Sequence, residues 1–265
     1  MHEVSRSRFA GTGAAQDEDR VAREEPLEIQ VNGASIAVVM RTPGDDLDLV
    51  AGFLVTERIV AREAEIASLH HASTGEAERA DNVVRAMLAD NVAFDVERLR
   101  RNLFASSSCG VCGKASLEQA LATAPPLGDS TRFRATFFSA LPERLREAQR
   151  VFDATGGLHG AALFDADGAR LCVREDVGRH NAVDKVVGWA ARQRLSLSHH
   201  VLAISGRISY EIAQKALAAR IPVVAAVSAP SSLAVELAES ARLTLVGFLR
   251  GQRLNVYGAR ERVEG

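Results

Sequence analysis

Hydrophobic and polar residues alternate in "LEIQVNGASIAVVMRT", from Leu27 to Thr42. This pattern predicts two strands joined at Asn32–Gly33, a pair that tolerates the positive φ angles of a tight hairpin turn. Directly afterwards the period changes. The apolar positions of "LDLVAGFLVTERIV" (47–60) recur at helical spacing, and Asp45 or Asp46 can cap that helix. Residues 61–103 are charged and weakly patterned, consistent with strands and a short helix of undefined limits. Ser116, with Gln119 three residues on, reads as a capping box opening the helix "LEQALATA". "APPLGD" closes that helix, and residues 124–131 read as a linker.

The second half has another rhythm. "AALFDADGARLCVRE" is a hairpin turning at Asp165–Gly168, and Asn181 can cap a helix through "AVDKVVGWAARQ" with Val183, Val186, Val187 and Ala190 on one face. Strand "VLAIS", helix "SYEIAQKALAA", strand "IPVVAAVS", helix "SLAVELAESA" and strand "LTLVGFL" follow. Such alternation predicts βαβ units in a largely parallel sheet with helices on both faces. The expected fold is α/β: a mobile tail over residues 1–20, an α+β N-terminal domain over 21–130, and an α/β C-terminal domain over 131–265.

Composition narrows the function. The 265 residues are 47% hydrophobic and 25% charged, the balance of a globular protein with a substantial core. A net charge of −2 offers no global basic field for nucleic acid, so an anion site must be local. The first twenty residues, "MHEVSRSRFAGTGAAQDEDR", lack the apolar stretch of a signal peptide, and no apolar run is long enough to span a bilayer. Three cysteines are too few for a disulfide framework and fit a reducing compartment. These features together predict a cytoplasmic protein.

Two of those cysteines, Cys109 and Cys112, share the segment "SSSCGVCGK". Structural zinc takes four ligands, commonly as two such pairs, and a second pair is missing, although His159 or His180 can complete a mixed site. A thioredoxin-like pair would follow a buried strand and open a helix, whereas polar Ala-Ser-Ser-Ser precedes Cys109. A thiolate nucleophile on an exposed loop is the third reading. Arg98, Arg100, Arg101 and Lys114 flank the pair, and nearby positive charge lowers a thiol pKa. The same arginines also suit a solvated helix face.

The C-terminal half adds three turns at predicted strand ends: Ser205-Gly206-Arg207, Ser228–Ser232, and "FLRGQR" from Phe248 to Arg253. Each can be a plain helix start. On one sheet edge they suit a ligand with several phosphates, because open α/β sheets bind ligands beyond the carboxyl ends of their strands. "REDVGRHNAVDK", Arg174 to Lys185, is either a salt-bridged joint between the halves or part of that mouth.

With these residues in hand the sequence resembles the formate dehydrogenase accessory sulfurtransferase family, FdhD. The likeness lies in "EEPLEIQVNG", "RTPGDDLDLVAGFLVTERIV", "SSCGVCGKAS", "GGLHGAALF", "VREDVGRHNAVDKVVGWA", "SGRISYEIAQKAL" and "AAVSAPSSLAVELA", in order from about Glu24 to Val256. The resemblance implies a sulfur carrier that takes persulfide sulfur from a cysteine desulfurase. Cys109 would bear the persulfide and Cys112 is the second cysteine of the motif. The sulfur would pass to the molybdenum bis(molybdopterin guanine dinucleotide) cofactor, bound as a substrate, before that cofactor enters formate dehydrogenase. The family's cofactor-binding stretch matches Phe248, Leu249, Arg250, Gly251, Gln252 and Arg253. A homodimer and a three-layer C-terminal domain resembling the cytidine deaminase fold are implied too.

The zinc-ligand pattern of the deaminases is missing from the C-terminal half, so no structural metal is expected. Arg220 stands where the family has glycine before "IPV", and "NVYGARERV" lacks the usual His-Pro. A non-catalytic cofactor chaperone with a structural or redox-sensing cysteine pair is the alternative.

Overall fold

A computed structural model of the chain describes residues 1–10, 13–72, 81–96, 125–128 and 131–265. The Cys109–Cys112 loop, its flanking Arg98, Arg100, Arg101 and Lys114, and the helix expected after Ser116 lie outside these residues. The segment expected as a mobile tail forms an antiparallel ribbon, β1 (His2–Ala10) and β2 (Gly13–Val21). Its charges are matched across the strands. Arg6 reaches Asp17 at 2.8 Å and Asp19 at 2.6 Å, and Arg8 reaches Asp17 at 2.9 Å. Opposite charges at facing positions stabilise a ribbon that composition alone reads as unstructured.

The predicted hairpin forms as β3 (Glu25–Val31) and β4 (Ala34–Arg41), with Asn32 and Gly33 both at positive φ. With β5 (Ile66–His71) and β6 (Val83–Leu88) it makes a four-stranded sheet, ordered β4-β3-β6-β5. Leu27, Ile29, Val31, Val84 and Ala86 are buried on its inner face. Against that face lies α1 (Asp46–Thr56), which stops before the expected Val60 because the chain reverses at Arg58, with φ 59°. Asp45 occupies the cap position without a side-chain bond, and Asp46 is held by Arg41 through two bonds of 3.0 and 2.9 Å.

The second half opens with β7 (Phe133–Arg134) and three short helices, α2 (Ala135–Ser139), α3 (Leu141–Arg146) and α4 (Arg150–Thr155). Then come β8 (His159–Phe164), β9 (Arg170–Asp176), α5 (Arg179–Arg192), β10 (Val201–Ile204), α6 (Tyr210–Ala218), β11 (Val223–Ala226) and α7 (Ser232–Ala241). The chain ends with β12 (Thr244–Arg250), β13 (Arg253–Gly258) and β14 (Val263–Glu264). Six of these strands form one sheet in the order β13-β12-β11-β10-β8-β9.

That sheet is mixed rather than largely parallel. The βαβ crossovers make β10, β11 and β12 parallel, while the hairpins at Asp165–Gly168 and Gly251–Gln252 force β9 and β13 antiparallel to their neighbours, and β8 runs against β10. Strand residues alternate between two cores. Leu163, Leu202, Ile204, Val224 and Leu245 face α5, α6 and α7, while Phe164, Val201, Ala203, Val223 and Val246 face Phe138, Leu141 and Leu145 of α2 and α3. Helices cover both faces, which is the three-layer arrangement of an α/β fold. Among the described residues no helix is long and apolar enough to cross a membrane.

The halves share a core across the joint expected near residue 130. The apolar face of α5 (Val183, Val186, Val187, Ala190) belongs to the same cluster as Leu49, Phe53 and Leu54 of α1 and the inner face of the four-stranded sheet. The segment read as a linker is tied down as well: Leu127 is buried, its N–H donates to the Ala241 carbonyl, and Arg220 donates to the carbonyls of Pro125 and Pro126.

Two glycines let α1 and α5 touch backbone to backbone. A Cβ at Gly52 would lie 1.8 Å from the Asp184 carbonyl oxygen, and one at Gly188 would lie 1.8 Å from that of Asp48. Buried ions flank this crossing and resolve the role of Arg174–Lys185 as a joint. Asp48 receives Arg174 at 2.8 Å and Arg192 at 2.6 Å. Lys185 binds Asp176 and the Thr42 carbonyl, each at 2.8 Å. Lys215 joins Asp184, Thr56 and Glu57 at 2.9–3.0 Å. Asn181 is not the cap of α5, which starts after Gly178; its amide instead reaches across to the Met40 carbonyl at 2.8 Å.

Gly→Ala inside a helix normally stabilises by about 1 kcal/mol. Here Gly52→Ala or Gly188→Ala should instead destabilise by on the order of 3 kcal/mol, because a backbone contact cannot yield. Urea unfolding of both variants measures this, and a gain in either would refute the crossing.

Candidate functional site

The three turns singled out in the sequence do meet at one sheet edge. Ser205 ends β10, Val227 and Ser228 follow β11, and β12 passes beside them. The Ile208 N–H donates to Ala229 and the Ser231 N–H to Ile208, at 3.2 and 2.9 Å, and the Phe248 N–H donates to Ser228 at 3.1 Å. Of the helix starts, Ser231 is a plain cap whose hydroxyl accepts from the Ala234 N–H at 3.4 Å. Ser209 makes no such bond at the start of α6, and its hydroxyl has no partner among the described residues.

Phe248–Arg253 does not follow the last strand of the sheet, because β12 continues to Arg250 and pairs with β13. The segment is therefore a hairpin tip. The register slips between Gly247 and Arg250, and Phe248 sits in the left-handed region at φ 56°. Side-chain-bearing residues rarely adopt that conformation, and where they do the strain commonly accompanies a functional role. Its effect is to expose Phe248 while Leu249 is buried. Arg250 and Arg253 face each other across the tip, exposed along with Gly251 and Gln252. Among the described residues neither arginine has an ion-pair partner. Two adjacent unpaired guanidiniums repel each other, and an anion between them relieves that repulsion while accepting charge-assisted hydrogen bonds.

Antiparallel β8 begins at this same edge and brings His159, while β9 ends there and leads into Arg179 and His180 of α5. The Ser205 hydroxyl accepts from the Gly160 N–H at 2.9 Å. Burial, then the nearby Arg179 charge, lowers the His159 pKa. His180 is pushed down to about 4 by burial first and then by Lys215 and Arg179, against the pull of Glu211 4.0 Å away.

Beside these residues opens a cavity of about 820 Å3, lined among others by Leu145, Gln149, Phe152, His159, Ser205 and Val227. Sequence reasoning passed over residues 142–158, which supply most of its lining.

Of the cysteines, Cys172 is the one among the described residues. It lies in β9, 6% exposed, with its thiol pushed up to about 12 by burial despite Arg174. A thiol held protonated and covered is neither a nucleophile nor a sulfur carrier. Among the described residues no group of three His, Cys, Asp or Glu side chains is gathered as metal ligands, His159 and His180 included.

A family model described as the FdhD/NarQ family matches residues 22–264. A protein of Streptomyces coelicolor named Sulfur carrier protein FdhD is 53% identical over 251 residues, 92% of this chain and 89% of the relative. The Mycobacterium tuberculosis protein of the same name is 51% identical over 253 residues, 92% of each chain. A crystal structure from Desulfotalea psychrophila, described as a candidate formate dehydrogenase accessory protein, superposes with a TM-score of 0.77 over 99% of both chains. At 23% identity that likeness establishes the fold.

The half-buried His180 sets a pH dependence. Unfolded, its imidazole takes a proton near pH 6.5; folded, it resists until about 4, so acidification between these values favours unfolding. His180→Asn should therefore lose less stability than the unaltered protein between pH 6.5 and 4. Denaturant midpoints across that range test this, and identical pH profiles would exclude it.

Proposed function

The chain belongs to the FdhD/NarQ family, and from that premise we propose that it carries persulfide sulfur on Cys109 from a cysteine desulfurase to the molybdenum bis(molybdopterin guanine dinucleotide) cofactor, bound as substrate before delivery to formate dehydrogenase. A cytoplasmic homodimer is the working form in this reading. The observation that carries it is the facing pair Arg250 and Arg253 at the hairpin tip, beside the ends of three parallel strands. That is a local cationic receiver on a chain of net charge −2, suited to a polyanionic dinucleotide. The burial of Cys172 leaves Cys109 and Cys112 as the thiols available for sulfur chemistry.

Loading proceeds by exchange. The Cys109 thiolate attacks the outer sulfur of the desulfurase persulfide, the donor's S–S bond breaks, and its cysteine leaves as a thiolate. Cys109 then holds the terminal sulfur, and the electrons balance without an added oxidant. The four cations flanking the pair in sequence favour the attacking thiolate. The Gly251 turn lets a ligand approach the backbone, and Arg250 and Arg253 supply donors to its phosphates.

Incubation with a cysteine desulfurase and cysteine should add one cyanolysable sulfur to Cys109 in the unaltered protein and in Cys172→Ser. It should add none in Cys109→Ala, which should also fail to activate a formate dehydrogenase. Mass spectrometry reads this; loading on Cys172, or no loading at all, rejects sulfur carriage and leaves the non-catalytic chaperone.

Arg250→Ala or Arg253→Ala should weaken guanosine diphosphate binding by roughly tenfold to a hundredfold, the loss of one charge-assisted bond, while sparing Cys109 loading. Calorimetry decides, and unchanged affinity in both variants would move the phosphate site to Arg207 and the Ser228–Ser232 turn.

A further inference from the structure

A second opening lies at the other end of the six-stranded sheet, away from the hairpin tip. It is a pocket of about 440 Å3 between the C-terminal ends of α5 and α6 and the turn that follows α1. At this end α5 and α6 lead into β10 and β11, whose far ends carry Ser205 and Val227. Val55, Val187 and Leu197 form a buried apolar wall, and Ala191, Leu195 and Ala219 continue it to the surface, half-buried.

The rim of this pocket is basic. Arg194 and Arg220 end α5 and α6 in the left-handed region, at φ 56° and 60°, where glycine is the least strained residue. The next residue closes each helix, with the Leu195 N–H donating to Ala190 and the Ile221 N–H to Ala216, both at 2.9 Å. Arg62 joins them from the turn after α1. Arg58 lies close enough to Arg220 for that charge, after burial, to lower its pKa. Among the described residues Glu63 is the one carboxylate in the lining. It meets Arg194 at 3.7 Å, and Arg62 meets Glu65 at 3.7 Å. The Arg194 and Arg62 side chains are 85% and 75% exposed, so these long surface pairs have little strength. Each guanidinium keeps N–H donors for a partner's carboxylate.

An apolar hollow bordered by exposed cations matches a protein segment that carries an apolar side chain flanked by carboxylates. The course of the chain identifies the partner that brings it. Arg220 donates to the carbonyls of Pro125 and Pro126, where the described chain resumes after the segment bearing Cys109 and Cys112. Cys109 stands sixteen residues ahead of Pro125, a stretch that spans at most about 55 Å when extended. By comparison α5, which runs from one end of the sheet to the other, is about 21 Å long. Covalent geometry therefore lets one thiol be met at this pocket and then at the hairpin-tip edge.

We propose that this pocket is the docking surface for the persulfide donor, holding an apolar side chain of the donor against Val187 and Leu195 while its carboxylates meet Arg62 and Arg194. The proposal rests on the sulfur-carrier reading above and adds a division of faces to it. Loading takes place at the C-terminal ends of α5 and α6, and cofactor binding at the opposite edge, so donor and cofactor do not compete for one surface. The attraction is between exposed charges, and salt weakens it.

The test measures the rate of sulfur loading on Cys109 by a cysteine desulfurase with cysteine, in the unaltered full chain and in two variants. One is the double variant Arg62→Glu with Arg194→Glu; the other is Arg194→Gly, which removes one cation and suits the positive φ. With limiting desulfurase at low salt, the double variant should load about tenfold more slowly, and the gap should close as salt is raised. Arg194→Gly should fall between the two. Loading from cysteine persulfide, a small donor that needs no docking, should keep the unaltered rate in both variants, and guanosine diphosphate affinity should not change. Equal desulfurase-driven rates would overturn the docking surface and leave sulfur carriage intact. Rates lowered as much with the small donor would overturn it too, since the substitutions would then act on Cys109 itself. Failure of both donors to load the unaltered protein would reject sulfur carriage, and the docking surface with it.

Discussion

The backbone contact between α1 and α5 at Gly52 and Gly188 is the constraint on which the rest of the molecule depends. Helices normally pack with their axes 8–10 Å apart because side chains intervene. Here each glycine meets a carbonyl of the other helix, so nothing larger than hydrogen fits. That proximity closes one hydrophobic cluster from the four-stranded sheet through both helices to the six-stranded sheet. It also brings Asp48 of α1 within reach of Arg174 and Arg192, and Thr56 and Glu57 within reach of Lys215, which pairs with the buried Asp184 as well. Buried pairs of this kind add little net stability compared with apolar packing, but breaking one leaves an uncompensated charge and is strongly destabilising. The joint therefore specifies one relative placement of the halves.

The placement matters because α5 starts at the edge where the strand-end turns meet. Its first residues, Arg179 and His180, stand beside the strand-end turns, while its buried face is clamped to α1. Lys215, one turn from the end of α6, anchors that helix to Thr56, Glu57 and Asp184, so α6 is registered against the same joint. Edges made of turns are the mobile part of an α/β fold, and rigid helices behind them supply the precision that binding requires.

Charge at that edge is segregated. The hairpin tip concentrates two exposed arginines that have no ion-pair partner among the described residues, next to Phe248 at positive φ and a register slip. In the adjacent cavity burial lowers the His159 pKa, and Arg146 at the rim is paired with Asp153. Cys172 shows the same influence of burial in another form: the core packed against β9 covers its thiol and removes it from the chemistry that an exposed cysteine performs.

Local chemistry was legible in the sequence wherever a short stretch decides its own conformation. Asn32–Gly33 and Asp165–Gly168 turn where expected because positive φ and turn bonding are local properties. The helix face of Val183, Val186, Val187 and Ala190 is buried as its spacing predicts, and the three turns beyond β10, β11 and β12 meet because βαβ units bring strand ends to one side. What only the tertiary structure decided involves partners far apart in the chain. The first twenty residues read as a tail until Arg6 finds Asp17 and Asp19. Asn181 looks like a cap until Met40 arrives across the joint, and the sheet reads as parallel until β8, β9 and β13 join it. Gln149 carried no signal, because its side chain is buried only when β8 closes over it. A residue's local preference is written in its neighbours along the chain, whereas burial and pairing depend on which distant surfaces meet.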